Sequence, residues 1–593
     1  MNSNIVKRLL QWEFIYLFFA LIFGLYFAFR LPPLQIMDEE RHFQKAYAFS
    51  EGYFFCSEGE QKGQYGMYLP KEIAHVGQTF GVDPLINRID VRIPEKTIAE
   101  NSKKTVGTER EFTNQPFCTR TLWTVLPQSF GIFIAKLFTS EIGVLLYAGR
   151  VANLLFAILV MFFAIRITPL AKGVFTFTGL LPMFVQQTAS LSADAMHYVG
   201  LLFFTAVILY FYYKREKKIS LTEGILFFLI SLLCIHAKAG YYPFALLVLL
   251  IPETLFASKK SSILYKILFI IGHILFAICY FLLIKFNTQV IDQKSQLLVF
   301  FVNPFDFFKD LFFSINVYFD YYWKSLLGGL GTKELYLNNL HYILLLGGFI
   351  VLAKEETKPL SAKFSLISLL TLLGCICTIF LGLSILEPRS GNVIDLVQGK
   401  YFLPLLPLAF LLLYHTVINE YGRKILIVSI IIISILASFS LIEQRYYSVE
   451  EKVYVSQTAD SIPYALEKQK PLEQTFISDQ KNLSGLGFFI DKSSPKITST
   501  YQFLLKEGDC RKILFAAPLM PEQLLPGKYY EVYFPVISSS KDTPYCFEVF
   551  PTISSTSPLR ISAAKNNVYS SGALMTTRKE TTNDLIFYAI YEK

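Results

Sequence analysis

Long apolar runs recur along the whole chain, and they constrain its fold more than any other feature of the sequence. A helix needs roughly 20 apolar residues to cross the hydrocarbon core of a bilayer. Eleven runs approach that length, at residues 14–29, 142–165, 169–189, 195–213, 220–236, 241–257, 262–284, 339–353, 364–386, 401–417 and 425–442. The sequence therefore predicts an α-helical polytopic membrane protein with about eleven transmembrane helices.

Composition agrees with this class. Of the 593 residues, 53% are hydrophobic and 17% are charged, whereas soluble domains average about 25% charged residues. These values exclude a disordered or small disulfide-stapled chain and argue against an ordinary soluble enzyme. The net charge is +9, but no compact basic domain carries it. We therefore attribute the excess to loops on the cytoplasmic side and expect no nucleic-acid partner.

Lysine and arginine clusters in the short loops predict the orientation. They fall on one side of the membrane if the eleven helices alternate, and the positive-inside rule makes that side the cytoplasm. The N-terminus is then inside, and the loops at 31–120, 190–194, 237–240, 286–338 and 387–400 face outward, as does everything after about residue 443. The clusters are Lys7/Arg8, Arg166/Lys172, Lys214/Arg215/Lys217/Lys218, Lys259/Lys260, Lys354/Lys358 and Arg423/Lys424.

Two further predictions concern the first apolar run and the segment 122–139. The first run lacks a small-residue cleavage site, so we interpret it as an anchor and not as a removed signal peptide. The apolar segment 122–139 contains Pro127 and Gln128, so we expect it to be interfacial or re-entrant.

The last part of the chain has a different pattern. Period-two alternation occurs in 529–534, 546–550 and 585–591, with turn residues such as Pro526-Gly527 and Ser538-Ser539-Ser540 between them. Alternating strands with such punctuation are typical of a β-sandwich. We therefore predict a transmembrane domain over 1–446 and an extracytoplasmic β-sandwich over 447–593.

The eight cysteines fit this topology. Cys234, Cys279, Cys375 and Cys377 lie inside predicted helices and are interpreted as apolar packing residues. The remaining four form two pairs outside the membrane, Cys56 with Cys118 and Cys510 with Cys546. An oxidising compartment would allow each pair to form a disulfide, which the sequence alone does not demonstrate.

The segment directly after the first predicted helix carries the strongest candidate chemistry. Pro32 and Pro33 end that helix, and Asp38 is well placed to cap the next one. In a helix that starts there, Asp38, Arg41 and His42 lie on one face. One interpretation is a solvated interfacial helix. The alternative is a catalytic carboxylate, Asp38 with its neighbour Glu39, held at the membrane surface to accept a proton from a hydroxyl.

Other ionisable groups lie at the predicted outer ends of helices. Asp194 is either a helix cap or a substrate contact. Lys238 breaks the inside-positive pattern, so it either snorkels or pairs with a phosphate. Arg389 and Lys400 either clamp an anionic head group or anchor a loop. Tyr241 and Tyr401 flank two of these cations as candidate substrate contacts.

Several signatures are absent from the sequence. It contains no GxxxxGK[ST] loop, HExxH or CxxC motif, or GxSxG elbow. We therefore predict no ATP-driven step, no cofactor and no metal centre, although a divalent cation at the Asp38-Glu39 pair stays open.

These segments, in their order and spacing, resemble a bacterial multi-pass family of predicted membrane proteins that is itself similar to GT-C-type glycosyltransferases. The matching pieces are Pro33 to Gly52, Leu181 to Asp194, Lys238 with Tyr241-Tyr242, Leu327 to Gly331, and Gln398 to Pro404. Lys400 departs from the family pattern, which more usually has arginine there. The tail also resembles a carbohydrate-associated β-sandwich, through 474–476 with 482–486, and through 527–534.

The resemblance implies a bacterial plasma-membrane enzyme that transfers a sugar from a polyprenyl-phosphate donor to a cell-envelope polysaccharide or related glycan on the outer face. It implies that Asp38 is the base and that Lys238, Arg389 or Lys400 stabilises the leaving phosphate, with Arg41, His42, Asp194, Tyr241 and Tyr401 near the substrate. The alternative is a non-enzymatic lipid or polysaccharide transporter or an assembly factor. A transporter should carry polar, discontinuous helices in mid-membrane.

Overall fold

The computed structural model contains two compact units, a helical one and a β-rich one, with the boundary between Glu443 and Gln444. The sequence predicts the boundary between the two domains after residue 446. The structure describes residues 10–59, 64–80, 95–115, 122–287, 303–331, 335–352, 361–386, 393–394, 397–412, 420–447, 450–456, 460–466, 472–495, 501–508, 510–519, 524–551, 558–576 and 579–592.

Within the described ranges, six helices are long and apolar enough, by length and composition, to cross a membrane. They are Trp12–Arg30, Ile142–Ile167, Asp194–Tyr213, Lys259–Tyr280, Ala362–Ser384 and Gly422–Tyr447. The structure thus supports a helical membrane protein with six candidate spans, and each of the six coincides with one of the eleven predicted runs.

The other five predicted runs are shorter or broken. The run 169–189 is two helices, Lys172–Gly179 and Pro182–Thr188, and 220–236 and 339–353 form Leu221–Ile235 and Asn339–Leu352. The run 241–257 begins as a 3₁₀ helix, Ala239–Leu250. The run 401–417 starts as the 3₁₀ helix Gly399–Leu405 and continues as Leu406–Leu412. Pro243 and Pro404 lie inside the 3₁₀ segments, and a proline has no amide hydrogen for an α-helical bond.

One long helix was not anticipated. Pro304–Leu327 lies in the predicted outer loop 286–338. Its acidic and basic residues interrupt the apolar run, so hydropathy does not identify it. Phe305, Phe312 and Phe319 are 83%, 67% and 65% exposed, which gives the helix the amphipathic character of an interfacial element.

The first helix has one face that is buried in the protein and one face that is exposed. Phe18 and Phe29 are exposed, whereas Phe23 and Phe27 are buried. An apolar side chain without protein contact is stable in lipid but not in water. The exposed rings are therefore expected to contact acyl chains.

The segment after the first helix packs on the bundle as a small α/β layer. Its helix Glu39–Ser50 shares an apolar cluster with the helix Leu126–Lys136, through residues such as Phe43, Tyr47 and Ile132. Strands β1 (Ser57–Glu58), β2 (Tyr65–Pro70) and β3 (Arg110–Asn114) form an antiparallel sheet in that order. The remaining short elements are the helices Lys71–Ala74, Val76–Thr79, Glu95–Ser102 and Leu122–Val125, the turn Glu253–Leu255 and the strand pair β4 (Gly329–Leu330) and β5 (Leu335–Tyr336).

The β-rich unit contains two larger antiparallel sheets. Its strands are β6 (Glu450–Ser456), β7 (Ser461–Ala465), β8 (Leu472–Ile477), β9 (Leu483–Phe489), β10 (Tyr501–Glu507), β11 (Lys512–Leu519), β12 (Tyr529–Ile537), β13 (Pro544–Pro551), β14 (Arg560–Ala564), β15 (Leu574–Thr576), β16 (Lys579–Glu580) and β17 (Phe587–Glu592). One sheet has the order β11-β10-β13-β8-β15-β16, the other β12-β9-β17-β6, and β14 pairs with β7.

Rings from both larger sheets enter one apolar core. Phe476, Phe503 and Phe547 come from the six-stranded sheet and contact Phe488 and Phe587 of the four-stranded sheet. All five are almost fully buried. Burial of one such side chain contributes about 1.5–3 kcal/mol, so this cluster accounts for the alternating pattern of the strands.

Cysteine positions follow the predicted pairing where the structure describes them. Cys510 and Cys546 form a disulfide with Cα atoms 5.7 Å apart. Cys56 is also disulfide-bonded, and its predicted partner Cys118 lies outside the described residues. The four cysteines in predicted helices are free thiols.

Candidate functional site

A fully buried ion pair holds the candidate site together. Arg150, on the helix Ile142–Ile167, donates to both carboxylate oxygens of Glu39, with Nε–Oε1 2.8 Å and Nη2–Oε2 2.6 Å. Neither side chain has any exposed surface. The remaining guanidinium hydrogens are donated to the carbonyls of Ala28, Leu31 and Pro32, which lie at the C-terminal end of the first span.

The Arg150–Glu39 ion pair also contacts the loop that precedes Asp194. The backbone N–H of Leu191 donates to Glu39 Oε1 at 3.0 Å, and Asn153 donates to the Ser190 carbonyl at 2.7 Å. The loop before Asp194 is therefore fixed to the segment that carries Asp38. Glu39, predicted as the catalytic neighbour of Asp38, is placed as a positioning residue, because a sequestered carboxylate in a bidentate ion pair is not accessible to a substrate.

Asp38 has an unusual backbone conformation. Its φ is +62°, in the left-handed region, which costs a non-glycine residue roughly 1–2 kcal/mol. It occupies the predicted N-cap position of Glu39–Ser50, but its side chain makes no capping hydrogen bond. The side chain is exposed, and within the described part of the chain no hydrogen bond or ion pair engages it.

Asp194 binds two lysines that are distant in sequence. Lys238 Nζ lies 3.1 Å from Asp194 Oδ1, and Lys400 Nζ lies 2.9 Å from Oδ2. The exposed fractions of the side chains are 13% for Asp194, 4% for Lys400 and 35% for Lys238. Two ammonium groups share one carboxylate, so the cluster has one positive charge in excess. It is suited to an anion of matching charge.

Tyr401 forms one wall of this cluster. The Lys238 ammonium lies 3.7 Å from the centre of the Tyr401 ring, a cation–π contact. The buried Tyr241 hydroxyl donates to the Tyr401 carbonyl at 2.7 Å. Close packing also sets the start of the 3₁₀ helix, because a Cβ on Gly399 would overlap the Tyr322 carbonyl. Both predicted tyrosines therefore belong to the cluster.

His42 lies within electrostatic range of the Asp38 and Asp194 carboxylates. Desolvation lowers the pKa of His42 to about 4, and the nearby carboxylates of Asp38 and Asp194 oppose this shift. Tyr401 also lies within electrostatic range of both. Asp38 and Asp194 therefore both lie within electrostatic range of His42, whose imidazole is neutral at pH 7.

This pKa predicts an acid sensitivity. His42 binds a proton below about pH 6.5 when unfolded but only near pH 4 when folded. The unfolded state then holds more protons in that window, so the free energy of unfolding should fall as the pH drops from about 6.5 toward 4. The His42→Gln variant should lose less thermal stability between pH 7.5 and pH 5 than the wild type, as measured by Tm in detergent. Equal losses would contradict this role for His42.

His197 belongs to the site but was not predicted. It lies one helical turn after Asp194, with Nδ1 3.7 Å from Asp194 Oδ1. The side chain is almost fully buried. Among the residues that the structure describes, its Nε2 atom has no hydrogen-bond partner. A histidine inside an otherwise apolar helix is the signal that could have identified it.

The outcome differs for the other two predicted cations. Arg41 is exposed, and among the described residues its side chain makes no ion pair. Arg389 lies outside the described residues. In the described ranges, the one group of ligand atoms close enough to share a metal ion is Glu473, Cys510 and Cys546, and the disulfide removes its two thiolates.

Comparison with known proteins identifies a family. A family model described as "Predicted membrane protein (DUF2142)" matches residues 21–409, a range that includes Asp38, Asp194, Lys238 and Lys400. No curated protein matches the chain. The family match covers well over half of the sequence, and the chain belongs to the DUF2142 family.

Proposed function

We propose that this DUF2142 protein is an integral membrane glycosyltransferase of GT-C type. It would move a sugar from a polyprenyl-phosphate donor to a cell-envelope polysaccharide or related glycan. One observation carries the proposal. Asp194 holds Lys238 and Lys400 on its two oxygens, and the Asp38 carboxylate, which has no hydrogen bond or ion pair among the described residues, lies within electrostatic range of the adjoining Tyr401. An anion site next to a proton acceptor is the pair of features that this reaction needs.

The charge of the site suits a lipid-linked phosphate. The donor is a phosphodiester with one negative charge, which equals the excess positive charge of the two lysines over Asp194; the ionised Asp38 is counted separately, as the proton acceptor. When the sugar leaves, the phosphate becomes a monoester with a charge of about −1.5 to −2 at pH 7. Lys238 and Lys400 are placed to bind the growing charge, because each has N–H donors beyond the one on Asp194. Arg389 remains a predicted third cation.

The proposed chemistry has one proton transfer and one displacement. The acceptor hydroxyl gives its proton to the Asp38 carboxylate, and its oxygen attacks the anomeric carbon. The bond from that carbon to the phosphate oxygen breaks, and its electron pair leaves with polyprenyl phosphate. His42, neutral at pH 7, and Tyr401 border the reacting groups, while Arg41 and Tyr241 complete the proposed substrate surroundings. No cofactor is needed for these steps.

The positions of these residues favour chemistry over transport. Asp38 follows one span, Asp194 begins another, and Lys238 follows a third helix. The Asp194–Lys238 ion pair brings two of these helix ends together, whereas a transporter gathers polar groups at mid-membrane. The basic loops support an outward-facing site in a bacterial plasma membrane, with the five shorter segments completing about eleven crossings. A transporter or assembly factor remains the second candidate.

The β-rich unit is proposed to face outward as a carbohydrate-associated β-sandwich. Tyr454, Tyr529 and Tyr588 form a group of rings on its four-stranded sheet, with centroids 4.8–6.0 Å apart. Tyr454 is 51% exposed. Glu531 and Lys452 flank the rings. Aromatic faces beside polar groups suit the alternating C–H and hydroxyl surface of a glycan acceptor.

A transfer assay tests the proposed function. The full chain, reconstituted in vesicles, should release polyprenyl phosphate from one member of a radiolabelled panel of polyprenyl-phosphate sugars and label an envelope glycan. Lys238→Met should lower kcat/KM for the donor by about 10–100-fold, the value of a hydrogen bond to a charged group. The exposed Lys217→Met is the matched control and should behave as the wild type. No turnover of any donor, together with no Tm shift on addition of polyprenyl phosphate, would refute the proposal.

A further inference from the structure

A groove runs along the first part of the helix Ile142–Ile167, beside the end of the first span. Its volume is about 480 Å³. Residues from both helices and from the small α/β layer line it, including Phe29, Ser102, Glu141, Val144, Tyr147 and Val151. A helix rises about 15 Å over the ten residues from 141 to 151, so the groove is elongated.

The walls of the groove are apolar and face away from the protein. Phe29 is 53% exposed and Val144 is 44% exposed. The Phe29 ring packs on the Tyr147 ring with centroids 5.5 Å apart. Both helices are candidate spans, so these walls face the hydrocarbon region of the bilayer and not water. The aliphatic chains of membrane lipids are the molecules that reach such a surface.

The end of the groove at Glu141 is polar and offers acceptors. The Glu141 side chain is partly buried and makes no capping hydrogen bond at the start of its helix. The Ser102 hydroxyl donates to the Ile98 carbonyl at 2.8 Å, so its lone pairs are left to accept. A Cβ on Gly143 would overlap the Ser102 side chain, so this glycine allows the serine to lie at the groove.

Glu141 is held in place by its backbone, but its charge is not neutralised. Its N–H donates to Thr139 Oγ1 at 3.1 Å, and the Ile142 N–H donates to the Lys104 carbonyl at 2.9 Å. The Lys104 side chain is exposed, and in the described part of the chain neither Lys104 nor Glu141 forms an ion pair. A carboxylate at the edge of the hydrocarbon region normally has a cationic partner. A cation from outside the chain is therefore expected here.

We infer that this groove binds one chain of a membrane phospholipid whose head group carries a primary ammonium, which Glu141 and Ser102 bind. A primary ammonium has three N–H donors and one positive charge, which match a carboxylate and a hydroxyl acceptor. A choline head group has the charge but no N–H donor, and a glycerol head group lacks the charge. The Tyr147 hydroxyl is able to donate to an ester or phosphate oxygen of the same lipid. Binding of this lipid requires no sugar transfer, so it is independent of the proposed function.

Lipid binding to the full chain in detergent tests this inference. Phosphatidylethanolamine, phosphatidylcholine and phosphatidylglycerol with the same acyl chains are titrated, bound lipid is counted by native mass spectrometry, and Tm is measured. The wild type should bind phosphatidylethanolamine most tightly and show the largest Tm increase with it, because a ligand that binds only the folded state stabilises that state.

Glu141→Gln tests the head-group contact. It should weaken phosphatidylethanolamine binding by about tenfold or more, since it removes a charged acceptor, and it should leave phosphatidylcholine and phosphatidylglycerol binding unchanged. Glu216→Gln, at an exposed glutamate between two helices, is the matched control and should bind all three lipids as the wild type does.

Val151→Phe tests the groove itself. The added ring occupies the space of the aliphatic chain and should abolish phosphatidylethanolamine binding. Leu159→Phe is the matched control, because Leu159 is 54% exposed on the same helix and does not line the groove. If Val151→Phe fails to fold, Val144→Phe fills the groove from a position that is already exposed.

The outcomes decide between this lipid and other occupants. Loss of the phosphatidylethanolamine preference in Glu141→Gln, together with loss of binding in the groove-filling variant, supports the inference whether or not sugar transfer is found. Equal wild-type affinity for the three lipids, or unchanged binding in Glu141→Gln or in the groove-filling variant, would overturn it. Displacement of phosphatidylethanolamine by equimolar polyprenyl phosphate would also overturn it, because the groove would then hold a prenyl chain.

Discussion

Asp38→Asn is expected to lower sugar transfer by about 10²–10⁴-fold, the usual contribution of a general base. Asparagine has the shape of aspartate and also tolerates the left-handed conformation seen at φ +62°. The backbone should therefore stay in place while the proton acceptor is lost. Single-turnover transfer from the active donor, measured in vesicles beside the wild type, gives the size of the effect.

Asp38→Gly separates catalysis from folding. Glycine adopts a positive φ without steric cost, so this variant should keep its Tm and still lose activity to the same degree. Asp320→Asn is the matched control, because Asp320 is an exposed aspartate whose Lys324 partner lies on the same helix. Wild-type transfer in Asp38→Asn would remove Asp38 from the mechanism, and a large loss of Tm in both Asp38 variants would give it a structural role.

The sequence identifies several residues of this site one by one, but it does not show that they lie together in space. Hydropathy places Asp38, Asp194 and Lys238 at helix ends, and charge patterning marks Lys238 as an exception. The pairing does not follow from either pattern, because Lys238 is 44 residues from Asp194 and Lys400 lies on a separate 3₁₀ segment. Only tertiary packing decides that both lysines meet one carboxylate.

The 3₁₀ segments are the part of the fold that hydropathy did not predict. A hydropathy window detects apolar length, so it treats 241–257 and 401–417 as ordinary spans. The structure forms 3₁₀ helices at the start of both, where Lys238 and Lys400 enter the site. Local backbone geometry of this kind depends on neighbouring helices. Pro243 and Pro404 were the available signals.

Arg150 is a residue of the site that the sequence could have identified. It lies inside the predicted span 142–165, and a charged residue in such a run usually has a specific partner. The partner is Glu39, 111 residues earlier. The pair fixes the loops of Asp38 and Asp194 to the same helix, so the arrangement of the site depends on a residue that touches no proposed substrate.

Arg150→Met is therefore expected to prevent stable folding. It leaves the Glu39 carboxylate buried without a counterion, which costs about 3–5 kcal/mol. Three backbone carbonyls, those of Ala28, Leu31 and Pro32, lose their guanidinium donor as well, at about 1–3 kcal/mol for each group left unsatisfied. The sum is comparable to the whole stability of a typical domain, about 5–15 kcal/mol. Size-exclusion chromatography of detergent extracts should show little monodisperse protein.

Two further variants identify the cause of that loss. Arg166→Met, an exposed arginine near the end of the same helix, should change stability by no more than about 0.5 kcal/mol. Adding Glu39→Met to Arg150→Met removes the unpaired charge and should recover part of the folded yield, but not all of it, because the carbonyls and the Leu191 N–H remain unpaired. If Arg150→Met alone gives wild-type yield and Tm, the ion pair does not hold the two loops in place, and the register of Asp38 against Asp194 must be set by the apolar contacts around them.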